Sequence, residues 1–199
     1  MSKRLYVAYG SNLNIAQMKH RCPTAKLYGT GTLEGYELQF KGYPSSAFAT
    51  IAPKAGSSVP VAVWDIKPND EKNLDRYEGY PSHYFKKDVT VNLGNQEVSA
   101  MVYIMNQKMR FGLPSTGYYD TVLTGYKDCG LDTSALETAL KESTQQFYSS
   151  AVRHSPQMSF YDFGEDEDED EEMSEEEELE GEEEPDINDP FYSFDGMKF

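Results

Sequence analysis

The alternation of apolar and polar residues predicts β-strands over the first two thirds of the chain. A short apolar strand, LYVAY, begins at Leu5. The segment 25–41 alternates and contains three glycines, and we expect it to form a pair of strands broken at Gly31 and Gly35. FATIAPKAGSSVPVAVWDI predicts two further strands around a Gly-Ser turn, and FKKDVTVNLGNQEVSAMVYIMN predicts a hairpin that turns near Gly94.

Helical spacing of apolar residues predicts four helices. The first covers 14–22 and ends before a proline, and the second begins at Pro68, with Gly79 suited to its C-terminal cap. Two longer helices follow, over roughly 116–129 and 132–153. Strands, an inserted helix, more strands and then helices favour an α+β fold: a small, mostly antiparallel, barrel-like sheet with flanking helices.

Charge divides the chain into two parts. Residues 1–161 carry 17 Lys and Arg against 14 Asp and Glu, whereas residues 165–186 hold 17 carboxylates and no basic residue. Like charges at this density cannot bury enough apolar surface to offset chain entropy, so we expect one folded domain over 1–161 and a disordered acidic tail over 162–199. The end of the tail, DPFYSFDGMKF, contains four aromatics. It therefore suits either a protein partner or no more than a solubilising role.

Several classes of protein are disfavoured by what the sequence lacks. Cys22 and Cys129 fit no disulfide framework or metal-ligand spacing, and we expect reduced structural thiols. No apolar run resembles a signal peptide or approaches 18 residues, so we expect a cytoplasmic protein without a membrane partner. No basic patch with interleaved aromatics indicates nucleic-acid binding by the domain.

Two short segments are candidates for chemistry. In YGSNL, residues Gly10, Ser11 and Asn12 follow a buried strand; they suit either an ordinary tight turn or a site where successive N–H groups hold a carboxylate-sized anion. In LDRYEGYPSHY, Glu78 ends a short helix among aromatic neighbours. It is either an exposed helix-end acid or a carboxyl whose pKa is raised by the helix dipole and the surrounding rings.

Taken together, these segments resemble the γ-glutamylcyclotransferase family in its bacterial form. The likeness rests on YGSNL, on LDRYEG about 65 residues later, on a following tyrosine, on VYIMN and on PSTGYYDTVLTGYKDCGLD, and it covers about Leu5 to Leu140. The resemblance implies a small barrel-like α+β domain that cyclises the γ-glutamyl group of an amino acid or amine to 5-oxoproline and releases the amine. This intramolecular cyclisation, of acyltransferase or lyase type, needs no cofactor and no metal.

The resemblance also implies a role for individual residues. Glu78 is expected to be the catalytic acid/base. The substrate-binding residues are expected to be Tyr9, Gly10, Ser11, Asn12, Leu13, Tyr84 and Tyr118. Tyr119 could replace Tyr118 if the turn before it shifts by one residue.

Two other functions remain open from the sequence. One is a γ-glutamyl or small-ligand binding module on the same fold that has lost turnover. The other is an interaction protein in which the acidic tail carries the function and the domain carries the tail. An intact Glu78 beside an intact YGSN loop favours the enzyme.

Overall fold

The computed structural model describes residues 4–106 and 108–154, and for residues 151–154 it describes the backbone only. The chain divides into two units, Met1–Ser155 and Pro156–Phe199. The second unit, and with it the expected acidic tail and its aromatic end, lies outside the described residues. The domain boundary expected at 161 therefore stays a prediction.

The described residues form an α+β fold around a closed five-stranded barrel, which confirms the expected fold class. The strands are Arg4–Ala8 (β1), Lys26–Tyr43 (β2), Ser46–Ile66 (β3), Tyr84–Asn92 (β4) and Glu97–Met105 (β5). Their order around the barrel is β1-β3-β2-β4-β5, and β5 closes it by pairing parallel to β1. The other pairings are antiparallel.

Four helices accompany the barrel: Ile15–Arg21 (α1), Pro68–Tyr77 (α2), Thr116–Asp128 (α3) and Ser134–His154 (α4). A 3-10 turn at Ser11–Leu13 joins β1 to α1. Helix α2 begins with Pro68 at its first turn and a capping box that involves Asp70. Its C-cap is Glu78, and the next residue is Gly79, whose φ is +62°. The predicted helices and the predicted hairpin within 85–106 are confirmed. No helix in the described ranges is long and apolar enough to span a membrane.

The predicted strand pair within 25–41 is wrong, because β2 is one continuous strand. Gly31 does not break it; a Cβ atom there would lie 2.0 Å from the carbonyl oxygen of Asn92. Because Gly31 has no side chain, β2 can approach β4 closely at this point of the barrel. Gly35, with φ +77°, lies at a bulge between Glu34 and Tyr36.

The predicted Gly-Ser turn within 48–66 is also wrong, because β3 runs unbroken for 21 residues. The pairing with β2 shows the reason, because Glu34 pairs with Ser58 but Tyr36 pairs with Pro53. Residues 54–57 are therefore the extra residues that β3 contributes to the same bulge. Gly56, with φ +77°, supplies a left-handed residue within it. The true turn of this hairpin is at Pro44, between the paired residues Tyr43 and Ser46.

The bend places the outer half of the β2–β3 hairpin against the end of the β4–β5 hairpin. The N–H of Met105 donates to the Thr50 hydroxyl at 3.1 Å, and the Tyr84 hydroxyl donates to the carbonyl of Ala49 at 3.1 Å. Buried apolar residues from all five strands fill the core, among them Val7, Leu33, Phe40, Ile51, Val59, Val61, Val91 and Val102. A closed barrel with a buried apolar core therefore supports the segment 9–13 that leaves it after β1.

Candidate active site

The loop after β1 is held in place by the buried side chain of Leu13 and by the packing of α3 against it. Leu13 is fully buried, its N–H donates to the carbonyl of Gly10 at 2.9 Å, and the Cys129 thiol donates to the Leu13 carbonyl at 3.4 Å. A Cβ atom at Gly125 would lie 2.5 Å from the backbone nitrogen of Asn14, so only a glycine lets α3 pack this closely. Leu13 consequently anchors the loop, and any contact with a ligand would come from its backbone.

The first N–H groups of the loop take no part in the turn's own hydrogen bonds. The 3-10 turn uses the N–H groups of Leu13 and Asn14, which donate to Gly10 and Ser11. Those of Ser11 and Asn12 begin the turn and therefore have no acceptor within it. This geometry suits the second interpretation of YGSN, in which the loop offers backbone donors.

Glu78 meets the loop through a hydrogen bond. The Nδ2 group of Asn12 donates to Oε1 of Glu78 at 2.9 Å and to the Tyr6 hydroxyl at 2.8 Å. Burial raises the pKa of Glu78 from its ordinary 4.5 to about 7, against the opposing effects of Arg21 and of the Asn12 hydrogen bond. A carboxyl with this pKa exchanges its proton near neutral pH.

The tyrosines around Glu78 differ in part from those that the sequence suggested. Tyr80 is exposed, with its ring 6.5 Å from that of Tyr103. Glu78 instead acts electrostatically on buried tyrosines from several parts of the fold, including Tyr6 of β1, Tyr9 directly after β1 and Tyr84 of β4. Burial raises the pKa of each of these three well above 10, so they stay neutral hydrogen-bonding groups.

Ala49 links the two remaining candidate tyrosines to the loop. Its N–H donates to the Tyr118 hydroxyl at 3.0 Å, and its carbonyl accepts from Tyr84. A Cβ atom at Gly10 would lie 3.1 Å from the Cβ of Ala49 and 3.4 Å from the Tyr118 hydroxyl. Gly10, Tyr84 and Tyr118 thus meet around one residue of β3. Tyr119 packs elsewhere, with its ring 6.3 Å from Phe40.

The other members of the predicted set also lie here. The Tyr9 hydroxyl donates to the carbonyl of Tyr103 at 2.6 Å, which ties the start of the loop to β5. The Ser11 Oγ lies 3.1 Å from the Tyr77 hydroxyl. The structure therefore brings together all the residues named from the sequence, although Leu13 and Tyr9 hold the loop in place through their side chains.

Arg21 is the main residue that the sequence analysis missed. From the last turn of α1 its Nη1 donates to Oδ1 of Asn12 at 2.7 Å and to Ser11 Oγ at 3.3 Å, and its guanidinium lies 3.7 Å from the centre of the Tyr77 ring. The available signal was a basic residue at the end of the short helix after YGSN, where it follows Lys19 and His20. The spacing alone could not show that it turns back to the loop.

Comparison with known proteins identifies the family of this chain. Residues 6–121 match the family described as "Gamma-glutamyl cyclotransferase, AIG2-like", a range that contains the loop, Glu78 and Tyr118. This chain belongs to that family.

Individual members of the family show the same relationship. The Gamma-glutamylcyclotransferase of Bos taurus is 32% identical over 136 residues, and that of Homo sapiens is 29% identical over 137; each match covers 64% of this chain and 72% of the relative. A solved structure titled "Gamma-glutamyl cyclotransferase" is 27% identical, with a TM-score of 0.62 over 73% of this chain and 86% of its own. This chain is therefore similar to cyclotransferases both in sequence and in fold.

Proposed function

We propose that this protein is a γ-glutamylcyclotransferase that converts the γ-glutamyl group of an amino acid or amine to 5-oxoproline, with Glu78 as general acid and base. The observation that carries the proposal is the Glu78 carboxyl, with a pKa of about 7, held at 2.9 Å by Asn12 of the YGSNL loop. Membership in the family supports the reaction class.

The reaction needs little from the protein because the nucleophile belongs to the substrate. Ionised Glu78 takes a proton from the substrate's α-ammonium, and the free amine attacks the γ-carbonyl carbon. The new C–N bond closes a five-membered ring while the bond to the leaving amine breaks, and Glu78 returns the proton to that amine. The ring nitrogen then loses a second proton to Glu78 as it becomes the lactam nitrogen, and the released amine takes that proton up as an ammonium, so atoms and protons balance without water. Ring closure within one well-held molecule has an effective concentration on the order of 10⁵–10⁸ M.

The loop is proposed to hold the substrate folded for this attack. The N–H groups that open the 3-10 turn would bind the α-carboxylate or the developing oxyanion. The oxygen of Tyr118 accepts from the Ala49 N–H, so its own proton is directed elsewhere and can be donated to the substrate. Gly10 lets that hydroxyl and the loop backbone come close together.

The test is direct. Purified protein is incubated with a panel of γ-glutamyl amino acids and γ-glutamylamines, and 5-oxoproline is measured by mass spectrometry. The Glu78→Gln variant should lose activity by about 10²–10⁴-fold, because the amide keeps the shape but cannot accept a proton. Glu97→Gln, the same chemical change at an exposed glutamate, is the matched control.

The outcomes separate the alternatives. A Glu78→Gln variant that keeps more than about a tenth of the wild-type rate would show that Glu78 is not the proton carrier. Binding of a γ-glutamyl compound without release of 5-oxoproline would favour a ligand-binding module over an enzyme.

A further inference from the structure

Asn12 lies between the two charged groups of the site. Its side chain is 3% exposed. Both N–H bonds of its amide are used, one to Glu78 Oε1 at 2.9 Å and one to the Tyr6 hydroxyl at 2.8 Å, while its carbonyl oxygen accepts from Arg21 at 2.7 Å. The amide therefore connects the guanidinium to the carboxyl.

The two ends of an asparagine amide have almost the same shape, so its partners decide which end points where. An arginine guanidinium can only donate hydrogen bonds, and an ionised carboxylate can only accept them. Turning the Asn12 amide over would set its NH₂ group against Arg21 and its oxygen against Glu78. Both hydrogen bonds would be lost at once.

We propose that Arg21 is a positioning residue that fixes the orientation of the Asn12 amide, so that Oε1 of Glu78 is held and Oε2 is left to carry the proton. This inference rests on the proposed function, since it assigns Arg21 a part in the same reaction. Arg21 acts through Asn12 and needs no contact with the substrate.

The shape of the guanidinium is what suits it to this task. Its Nη1 contacts Asn12 and Ser11, its Nη2 donates to Oε1 of Gln17, and its plane stacks on the ring of Tyr77. A lysine ammonium is a compact charge without a planar fork. Lysine at this position would keep the positive charge near Glu78 but could not make the same set of hydrogen bonds and ring contact.

The effect of the Arg21 charge can be separated from the effect of its hydrogen bonds, because the other groups that interact with Glu78 are neutral. Glu78 acts electrostatically on tyrosines on or next to β1, α2, β4, β5 and α3, and burial raises the pKa of every one: Tyr6, Tyr9, Tyr77, Tyr84, Tyr103 and Tyr118. Burial also raises the pKa of the Cys22 thiol to about 12. Within the described part of the chain, Arg21 is the charged group that shifts the Glu78 pKa, and it lowers it.

The experiment compares Arg21→Lys, Arg21→Met, Asn12→Ala and the double variant Asn12→Ala/Arg21→Lys. Arg76→Met, an exposed arginine on α2, controls for loss of one positive charge. The variants are assayed for kcat and KM across pH, and the Glu78 carboxyl is titrated by NMR. Thermal unfolding shows that each variant is folded, and Arg21→Lys remains informative if Arg21→Met does not fold.

We expect Arg21→Lys to lower kcat by at least about tenfold with KM changed less, while the Glu78 pKa stays near 7. Arg21→Met should lower kcat too, and should move the Glu78 pKa and the acid limb of the pH profile upwards. The double variant should be no slower than Asn12→Ala alone, because Arg21 acts through the amide. A wild-type rate for Arg21→Lys, or losses that multiply in the double variant, would overturn the proposal.

One readout does not need turnover. The two side-chain N–H signals of Asn12, assigned by their loss in Asn12→Ala, should be protected from exchange in the wild type and exchange faster in Arg21→Lys. Unchanged protection would overturn the positioning role. A wild-type protein with protected Asn12 signals that releases no 5-oxoproline would instead contradict the proposed function and leave the orientation of the amide established.

Discussion

At the scale of the residue, the pKa of Glu78 predicts a cost in stability. The unfolded carboxyl ionises near 4.5 and the folded one near 7, so the folded state binds more protons between these values. The contribution of Glu78 to stability is therefore greatest below pH 4.5, falls as pH rises towards 7 and is level above. The loss is on the order of 3 kcal/mol at most, from about 1.4 kcal/mol per pKa unit.

Glu78→Gln should remove this cost because glutamine stays neutral. We expect the variant to unfold at a higher temperature than the wild type at pH 8 and at the same temperature near pH 4. Calorimetry at both pH values measures the difference. The exposed Glu97→Gln variant should show no such pH-dependent gain. Equal melting temperatures of wild type and Glu78→Gln at pH 8 would mean that Glu78 is not destabilised by burial.

Tyr118 and Tyr119 offer a second comparison between single residues. Tyr118→Phe removes the hydroxyl beside Gly10 and leaves the Ala49 N–H without its acceptor. We expect kcat/KM to fall by at least about tenfold and stability by about 1–3 kcal/mol. Tyr119→Phe, whose ring packs on Phe40, should change kcat/KM by less than about twofold. The reverse result would move the substrate contact to Tyr119.

At the scale of the element, the packing of α3 against the loop decides where the loop lies. A Cβ atom at Gly125 would meet the backbone of Asn14 at 2.5 Å and the Cβ of Leu13 at 2.6 Å, and backbone cannot move aside as a flexible side chain can. Gly125→Ala should push the 3-10 turn away from α3. We expect a lower melting temperature and a lower kcat/KM.

Gly117 is the matched control on the same helix, since a Cβ atom there meets nothing within 4 Å. Gly117→Ala should be neutral or stabilising by up to about 1 kcal/mol, because alanine favours the helix. If Gly125→Ala behaved like Gly117→Ala in unfolding and in kinetics, the close contact between α3 and the loop would not be limiting.

The elements that the sequence predicted well are those defined by local rules. Pro68 and Gly79 bound α2 as expected, and the turn near Gly94 joins β4 to β5. The errors lie in β2 and β3, where glycines that are typical of turns instead form a bulge and a close approach between strands. A glycine allows all of these geometries, and only the pairing partner decides among them.

The site shows the same division. YGSNL and Glu78 were recognisable because their pattern is short and contiguous, and the structure places them in hydrogen-bonding contact. Arg21 and Gly125 were not recognised, because their importance depends on how α1 and α3 pack against the loop. Such contacts connect residues from separate segments of the chain, so neither periodicity nor spacing predicts them.

At the scale of the whole molecule, the 6–121 family match and all the proposed site residues precede the acidic segment. Removing 162–199 should therefore change kcat/KM by less than about twofold. The formal net charge would change from −16 to +3, so solubility should fall as self-repulsion is lost. Kinetics of the two proteins, at low and high salt, measure the first effect, and centrifugation of concentrated samples measures the second.

A second truncation, after Asn188, separates the acidic run from the aromatic end, because it keeps every carboxylate of 165–186 and removes DPFYSFDGMKF. If both truncations raise kcat/KM equally, the aromatic end inhibits the domain and the acidic run only solubilises it. If only the removal of 162–199 raises kcat/KM, the carboxylates compete with the anionic substrate. High salt should then abolish the difference, because it screens charge over about 10 Å or less. Loss of activity in the 1–161 protein would contradict the expectation that these residues are sufficient for the reaction.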